Sequence, residues 1–230
     1  IRRNVDLNFI LFNNRIYGLT KGQYSPTSAR GFVSKSSPYG TVEDPFIPAE
    51  LCFGARGRFF ARSLDIDMKL LGQCMVACAQ HKGAAVLEVL VNCVIFNDGV
   101  HKGVAQREFR EDRSIVLRHG EKMVFGKDKN KGIVLDGLRL KVVTIGEDGY
   151  TLDDVLTHDA HEEDPTLHTM LAMMGTNNDL PVAFGVIRDV DAPCYDQAVS
   201  EQIEEVKAQK PGIRSLQDVL LKDAYWEVKE

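Results

Sequence analysis

The sequence contains few cysteines, and no two of them form a C-x-x-C pair. The five cysteines among 230 residues are odd in number and irregularly spaced. This argues against a secreted disulfide framework and favours a reducing cytoplasm. No run reaches the roughly 18 apolar residues needed to cross a bilayer. The basic start, IRRNVDL, leads into a short apolar stretch mixed with polar residues, so no signal peptide is expected.

An excess of basic residues is also absent. The formal net charge of −5 at pH 7 argues against the clustered basic surface typical of a nucleic-acid-binding protein, so neither nucleic acid nor membrane is expected as a partner. The glycine motifs of phosphate loops, dinucleotide sites and serine hydrolases are missing. The chain also lacks an initiator methionine, and we therefore expect an N-terminal part to be absent from it.

The first 98 residues show the pattern of an α/β fold. The run LNFILF (7–12) predicts a buried strand, whereas residues 20–57, rich in Ser, Thr, Pro and Gly, predict a long irregular segment. RFFARS predicts a strand, a helix capped by Gly83 follows, and AAVLEVLVNCVIF predicts a buried parallel strand. Four residues share the apolar face of the helix: Met68, Leu71, Met75 and Cys78.

After residue 99 the pattern changes to short apolar runs separated by Gly, Asp and Lys. This alternation predicts β-hairpins between SIVL and KVVTIG. Three further elements follow: a short helix in DPTLHTMLAMM, a buried strand in LPVAFGVIRDV, and an amphipathic helix that Pro211–Gly212 should stop.

Two asparagines, Asn13 and Asn14, stand where the first predicted strand ends. Carboxamides in this position often cap a turn, because Asn hydrogen-bonds to nearby backbone groups. Alternatively, an Asn oxygen is a neutral hard donor that suits Mg²⁺, and the carbonyl of Ile16 would provide a second oxygen from the same turn. The residues alone leave both interpretations open.

The segment FNNRIYGLTKGQYSPTS (12–28) resembles the second half of the thiamine-diphosphate motif in the 2-oxoacid:ferredoxin oxidoreductases. More narrowly, it resembles the β subunit of 2-oxoglutarate:ferredoxin oxidoreductase. Residues 59–99 and the segments THDAHEEDPTLHTMLA and LPVAFGVIRDVDAPCYD are similar to later parts of that subunit. The family's Gly-Asp-Gly, which supplies an aspartate to Mg²⁺, is not in this sequence, as expected for a chain without its front.

The resemblance implies a fold and a domain organisation. The fold would be α/β, a thiamine-diphosphate-binding fold with a parallel sheet flanked by helices. It would be N-terminally truncated and followed by a C-terminal region of hairpins and helices. Residues 1–98 would be the remainder of the domain that binds thiamine diphosphate and Mg²⁺, and residues 99–230 the C-terminal region of the same subunit.

The resemblance also implies the cofactor-binding residues. Asn14 would bind Mg²⁺ through its side chain and Ile16 through its carbonyl oxygen. Tyr17, Gly18 and Thr20 would lie beside the diphosphate. No catalytic residue is assigned to this chain, because in this family the α subunit contributes the acid that activates the aminopyrimidine.

Three further residues receive roles from the family. Loop lysines are usually only solvated, but pyruvate-specific relatives carry Gly where Lys21 stands and a polar residue where Leu19 stands. Lys21 would therefore bind the distal carboxylate of 2-oxoglutarate, and Leu19 would shape the wall beside it. Cys93 matches the last ligand of a 4Fe–4S cluster. Since such clusters typically need four cysteines, the other three would come from the missing front.

Two other clusters have simpler explanations. Cys74 and Cys78 lie one helical turn apart, which favours packing in the core over metal binding. His158 and His161 could share a metal ion if their segment were helical. No third ligand follows at a standard spacing, so a solvated acidic segment is favoured.

The implied activity is the thiamine-dependent oxidative decarboxylation of 2-oxoglutarate with coenzyme A to succinyl-CoA and CO₂. Ferredoxin would be reduced through the 4Fe–4S cluster, and the reaction would also run backwards as a reductive carboxylation. The working form would be an αβ heterodimer or its dimer. Two alternatives remain open: a pyruvate-specific or broad 2-oxoacid:ferredoxin oxidoreductase, and a non-catalytic scaffold subunit.

Overall fold

The computed structural model describes residues 1–176, 179–209, 216–220, 226 and 228. The predicted helix stop at Pro211–Gly212 lies outside these residues. The strands are β1 (Leu7–Asn13), β2 (Ile16–Tyr17), β3 (Gln23–Tyr24), β4 (Phe59–Leu64), β5 (Ala84–Leu90), β6 (Ser114–Leu117), β7 (Val124–Phe125), β8 (Lys131–Asp136), β9 (Arg139–Thr144) and β10 (Val182–Asp189). The α-helices are α1 (Pro48–Gly54), α2 (Met68–Gln80), α3 (Lys102–Ala105), α4 (Arg107–Arg113), α5 (Thr166–Met173), α6 (Tyr195–Gln209) and α7 (Leu216–Leu220).

The main sheet contains five strands in the order β1-β5-β4-β10-β6. Strands β1, β5 and β4 are parallel to one another. Strand β10 runs antiparallel to β4 and parallel to β6, so the sheet is mixed. The predicted buried parallel strand is confirmed for Ala84–Leu90, because every residue of β5 is buried between two parallel neighbours. The rest of the predicted run, residues 91–96, lies outside the strand.

Helix α2 connects β4 to β5, as the predicted strand-helix-strand unit requires. The Asp67 side chain caps its N-terminus by accepting a hydrogen bond from the amide of Leu70. The predicted apolar face is only partly correct: Leu71 and Cys78 are buried, whereas Met68 is 72% exposed. Four buried residues form the actual contact face: Leu70, Leu71, Cys74 and Cys78.

The end of α2 also differs from the prediction. The helix ends at Gln80, and His81, not Gly83, is its capping residue. Gly83 nevertheless has a left-handed backbone with φ of +120°. A side chain there would meet the Asn4 carboxamide at 2.4 Å. The glycine therefore serves the turn into β5 and not the helix cap.

The prediction of a buried first strand is wrong. LNFILF does form β1, but β1 lies at the edge of the main sheet, and its residues from Leu7 to Phe12 are exposed. It pairs with β5 on one side, and among the described residues no strand pairs with its other side. Asn13, the last residue of β1, is the one that is buried.

The C-terminal region contains a separate antiparallel sheet of three strands in the order β7-β8-β9, which confirms the predicted hairpins. SIVL is an exception, because it forms β6 and joins the main sheet beside β10. The main sheet thus takes strands from both sides of residue 98, and a boundary there stays a prediction. No helix in the described part of the chain is long and apolar enough to span a membrane.

Candidate functional site

The two asparagines at the end of β1 build a tight turn. The Asn13 side-chain oxygen accepts a hydrogen bond from the amide of Arg15 at 3.2 Å, and the Asn14 side-chain oxygen accepts one from the amide of Ile16 at 3.1 Å. Arg15 adopts a left-handed backbone with φ of +53°, which costs about 1–2 kcal/mol for a residue with a side chain. Both carboxamides therefore organise the turn, as the capping interpretation expects.

A second turn, in residues 25–28, holds the first in place. The Ser28 hydroxyl donates to the carbonyl of Arg15 at 2.6 Å, and the Thr27 hydroxyl donates to the side-chain oxygen of Asn13 at 2.8 Å. The Ser28 oxygen in turn accepts the amide of Ser25 at 2.9 Å. These contacts explain why the segment SPTS is rich in hydroxyl groups: short side chains here bind the backbone and the Asn13 side chain without filling the space beside the turn.

A third segment, residues 93–97, lies against the same turn. The Asn97 carboxamide donates to the carbonyl oxygens of Asn14 and Arg15 at 3.0 and 3.3 Å. The Phe96 ring packs so closely that a side chain at Gly22 would meet it at 3.0 Å. The irregular segment that carries Cys93 is thus attached directly to the turn after β1.

A cavity of about 440 Å³ opens beside this turn. Three of the predicted cofactor-binding residues, Asn14, Ile16 and Tyr17, line it. Asn14 is partly buried, and its oxygen has a second lone pair free for a cation after it accepts the Ile16 amide. Within the described part of the chain no carboxylate lines this cavity. These oxygens fit an incomplete Mg²⁺ shell, since Mg²⁺ prefers six oxygen ligands and usually takes one or two from carboxylates.

The remaining predicted residues lie at the tip of the loop between β2 and β3, outside the lining of the cavity. The Thr20 hydroxyl donates to the carbonyl of Tyr17 at 3.1 Å, and the amide of Lys21 donates to the carbonyl of Gly18 at 3.0 Å. Leu19 is fully exposed. Lys21 is also exposed and has a left-handed backbone with φ of +64°.

Cys93 belongs to the run AAVLEVLVNCVIF that predicted a strand, but it lies three residues beyond the end of β5. Its backbone forms an isolated bridge with Asn97, and its thiol is free and partly buried. The next two residues, Val94 and Ile95, are 75% and 77% exposed. The other four cysteines are buried, and burial raises the pKa of Cys74 to about 12. They are therefore poor thiolate ligands.

Sequence reasoning missed a buried charged group behind the turn. Arg62 of β4 and Glu88 of β5 form an ion pair, with the Arg62 Nε 2.8 Å from Glu88 Oε2. The Asn13 Nδ2 donates to Glu88 Oε1 at 2.8 Å. A cavity of about 420 Å³ lies beside these three residues and also touches Arg15 and His101. The available signal was the single charged residue in each of the two strands, β4 and β5.

The environment of the Arg62–Glu88 pair determines the protonation of the groups beside it. Burial alone would raise the pKa of Glu88, but the Arg62 guanidinium and the hydrogen bond from Asn13 outweigh it and hold the pKa below its ordinary value. Burial lowers the pKa of His101, whose Nε2 lies 2.9 Å from the Asn13 carbonyl oxygen. His101 is thus neutral at pH 7 and donates through Nε2. Arg15, Arg62 and Glu88 line the cavity of about 420 Å³, and two guanidinium groups against one carboxylate give its wall a net positive charge.

Comparisons with known proteins identify related sequences. Residues 1–89 match the family model of the C-terminal TPP binding domain of thiamine pyrophosphate enzymes. The 2-oxoglutarate oxidoreductase subunit KorB of Mycobacterium tuberculosis is 40% identical over 229 residues, or 99% of this chain and 61% of that protein. A 2-oxoacid:ferredoxin oxidoreductase subunit beta of a Sulfolobus species is 42% identical over 97 residues, or 42% of this chain and 32% of that protein.

Solved structures also match. One of them is the 2-oxoglutarate:ferredoxin oxidoreductase from Magnetococcus marinus with 2-oxoglutarate, coenzyme A and succinyl-CoA bound, and the TM-score is 0.64. The match covers 97% of this chain and 60% of that chain at 22% identity, so it shows the fold. The match confirms the predicted fold, and the 40% identity to the KorB subunit confirms the predicted resemblance. The chain spans about three fifths of the first relative's length.

Proposed function

We propose that this chain is the β subunit of a 2-oxoglutarate:ferredoxin oxidoreductase, because it is 40% identical to the KorB subunit of a 2-oxoglutarate oxidoreductase along nearly its whole length and 42% identical to a 2-oxoacid:ferredoxin oxidoreductase subunit beta over part of it. The reaction converts 2-oxoglutarate and coenzyme A into succinyl-CoA and CO₂. The two electrons released pass singly towards ferredoxin. The working enzyme is an αβ heterodimer or its dimer, located in the cytoplasm, and sufficiently reduced ferredoxin drives the reaction in reverse.

One observation carries this proposal. Asn14, Ile16 and Tyr17, which the family motif assigns to the cofactor, line one cavity at the carboxyl end of a parallel strand. Ligands in α/β sheets bind at this edge. If these three residues did not line the same cavity, the family match would indicate only a shared fold, which does not by itself imply a shared activity.

The oxygens of Asn14 and Ile16 would hold Mg²⁺ and through it the diphosphate, with Tyr17, Gly18 and Thr20 beside it. Thiamine diphosphate, when bound, supplies the electron sink for decarboxylation. The chain's own residues contribute rigidity: Ser28 and Asn97 fix the carbonyl of Arg15 and so the backbone between the two ligands. Preorganised ligands of this kind need no rearrangement when the cation binds.

Lys21 and Leu19 would select the substrate. Both side chains project from the loop tip into solvent, which suits contacts completed by the α subunit. An ammonium group there would donate a charge-assisted hydrogen bond to the distal carboxylate. Cys93 would contribute one thiolate to a 4Fe–4S cluster, which provides the route for single electrons.

The name of the Sulfolobus relative supports a second candidate specificity. The Sulfolobus protein is named for 2-oxoacids in general and is 42% identical over the part that matches. A pyruvate-specific or broad 2-oxoacid:ferredoxin oxidoreductase would keep the cofactor residues and dispense with Lys21 as a selector. A non-catalytic scaffold subunit would retain the fold without cofactor binding.

The test is viologen reduction by the complete αβ enzyme, purified without oxygen. We expect reduction that requires coenzyme A and prefers 2-oxoglutarate to pyruvate. Equal or faster reduction with pyruvate would contradict the 2-oxoglutarate assignment while retaining the cofactor assignment. No reduction with any 2-oxo acid, from protein shown to contain thiamine diphosphate and iron, would refute the proposed chemistry.

A further inference from the structure

The buried Arg62–Glu88 pair is poorly explained as a source of stability. Glu88 is 2% exposed and Arg62 is 6% exposed, and they occupy directly paired positions on β4 and β5. Replacing a buried ion pair by apolar residues of similar volume is often neutral or stabilising, because two charges lose their hydration. An ordinary sheet of this kind would carry apolar residues at both positions.

The strand register connects this pair to the turn. Leu11 of β1 pairs with Glu88, so Asn13, two residues further along β1, is the diagonal neighbour of Glu88 on the same face. Asn13 Nδ2 donates to Glu88 Oε1 and Arg62 Nε donates to Glu88 Oε2. Each carboxylate oxygen therefore has a donor.

The chemistry of these groups permits one orientation of the Asn13 amide. A carboxylate can only accept hydrogen bonds, so the Asn13 nitrogen must face Glu88. The Asn13 oxygen then faces the amide of Arg15, which can only donate, at 3.2 Å. If the amide were reversed, its nitrogen would face the Arg15 N–H, and the hydrogen bond that supports the left-handed backbone of Arg15 would be lost.

We propose that Glu88 is a positioning residue: its carboxylate, oriented by Arg62, fixes the Asn13 amide and through it the backbone that presents Asn14 and Ile16. The inference deepens the proposed function and rests on it, because those two residues are its proposed Mg²⁺ ligands. Glu88 itself lies behind the turn and is not a ligand. The ion pair thus sets the geometry of the metal-binding turn from inside the sheet.

The test uses the complete αβ enzyme freed of cofactor, with equilibrium binding of thiamine diphosphate measured by calorimetry across a Mg²⁺ series. In Glu88→Gln only one side-chain oxygen remains to accept hydrogen bonds, whereas Asn13 Nδ2 and Arg62 Nε each donate to a separate oxygen of Glu88. We therefore expect this variant to raise the half-saturating Mg²⁺ concentration at least tenfold. Asn13→Asp alone places two carboxylates together and should have a similar effect. Asp112→Asn, which breaks a surface ion pair with Lys131, is the matched control and should leave binding unchanged.

The double variant Asn13→Asp/Glu88→Gln separates positioning from general stability. The introduced glutamine accepts from Arg62 and donates to the introduced aspartate, whose second oxygen accepts from the Arg15 amide. We therefore expect Mg²⁺ dependence within about threefold of the parent enzyme, even where a single variant fails to fold.

The inference would be overturned if the double variant needed as much Mg²⁺ to bind thiamine diphosphate as the more impaired of the two single variants. It would also be overturned if Glu88→Gln showed the same Mg²⁺ dependence as the parent enzyme. Failure of the parent enzyme to bind thiamine diphosphate at all would instead refute the proposed function.

Discussion

Replacing Lys21 tests substrate selection, provided that two effects of the residue are separated. Lys21 has φ of +64°, a conformation that costs about 1–2 kcal/mol for a residue with a side chain. A glycine there would remove this cost together with the ammonium group, and would add about 0.5–1 kcal/mol of chain entropy on unfolding. Lys21→Gly should therefore leave the free energy of unfolding unchanged or raise it by about 1 kcal/mol.

Lys21→Met removes the ammonium group and keeps the backbone cost, so it is the cleaner variant. A hydrogen bond to a charged group is worth about 1.5–3 kcal/mol, which corresponds to about a 10- to 150-fold change in kcat/KM. We expect both variants to lose this factor for 2-oxoglutarate and to keep kcat/KM for pyruvate. Lys21→Met should leave the free energy of unfolding unchanged, so any rise of up to about 1 kcal/mol should occur in Lys21→Gly alone.

The assay is steady-state viologen reduction by the αβ enzyme with each 2-oxo acid, and urea unfolding of the same preparations. Lys35→Met, at an exposed lysine of the same irregular segment, is the control and should change neither quantity. Equal losses for 2-oxoglutarate and pyruvate in Lys21→Met would refute the role of the lysine in selection. Unchanged kinetics with both substrates would refute it equally.

Three further perturbations have definite expected results. Gly185→Ala should cost about 2–4 kcal/mol of unfolding free energy, because φ is +96° and the added carbon would lie 2.5 Å from a carbonyl oxygen of β6; Gly137→Ala, with φ of +61° and open space, should cost less in urea unfolding. Burial lowers the pKa of both His158 and His168, so the free energy of unfolding should fall as the pH drops below about 6.5, the pKa of histidine in the unfolded chain. A variant with both histidines replaced by Gln should show a weaker dependence of this free energy on pH. An equal dependence in the variant and the parent would contradict this explanation. Cys93→Ser should lower the iron and sulfide content of the αβ enzyme while thiamine diphosphate still binds, and unchanged iron would remove Cys93 from the cluster.

Much of the fold follows from apolar periodicity. The α2 and β5 segments, their order and the hairpins after residue 99 are readable because each pattern is long and strongly periodic. The pairing of strands with one another cannot be predicted from apolar periodicity in this way. SIVL looks like a hairpin strand, but it joins the main sheet beside β10, since pairing between distant segments depends on the shape of the whole core.

The candidate site was predictable where a motif concentrates its residues. Asn14, Ile16 and Tyr17 are close in sequence and share one cavity. The supports that hold them are distant in sequence: Glu88 lies 75 residues from Asn13, with which it shares a hydrogen bond. No local pattern reports such a contact, although a lone glutamate within an apolar strand is itself a reason to look for its partner.

The exposed first strand has a consequence for handling the protein. LNFILF contains six consecutive residues without charge or proline, and such segments form stacked intermolecular sheets when an edge is accessible. A preparation of this chain alone should therefore aggregate with increasing concentration, as light scattering would record. Ile10 is 43% exposed, and Ile10→Lys should slow aggregation without unfolding the chain. If light scattering by this variant rises as fast as that of the parent, another surface causes the aggregation.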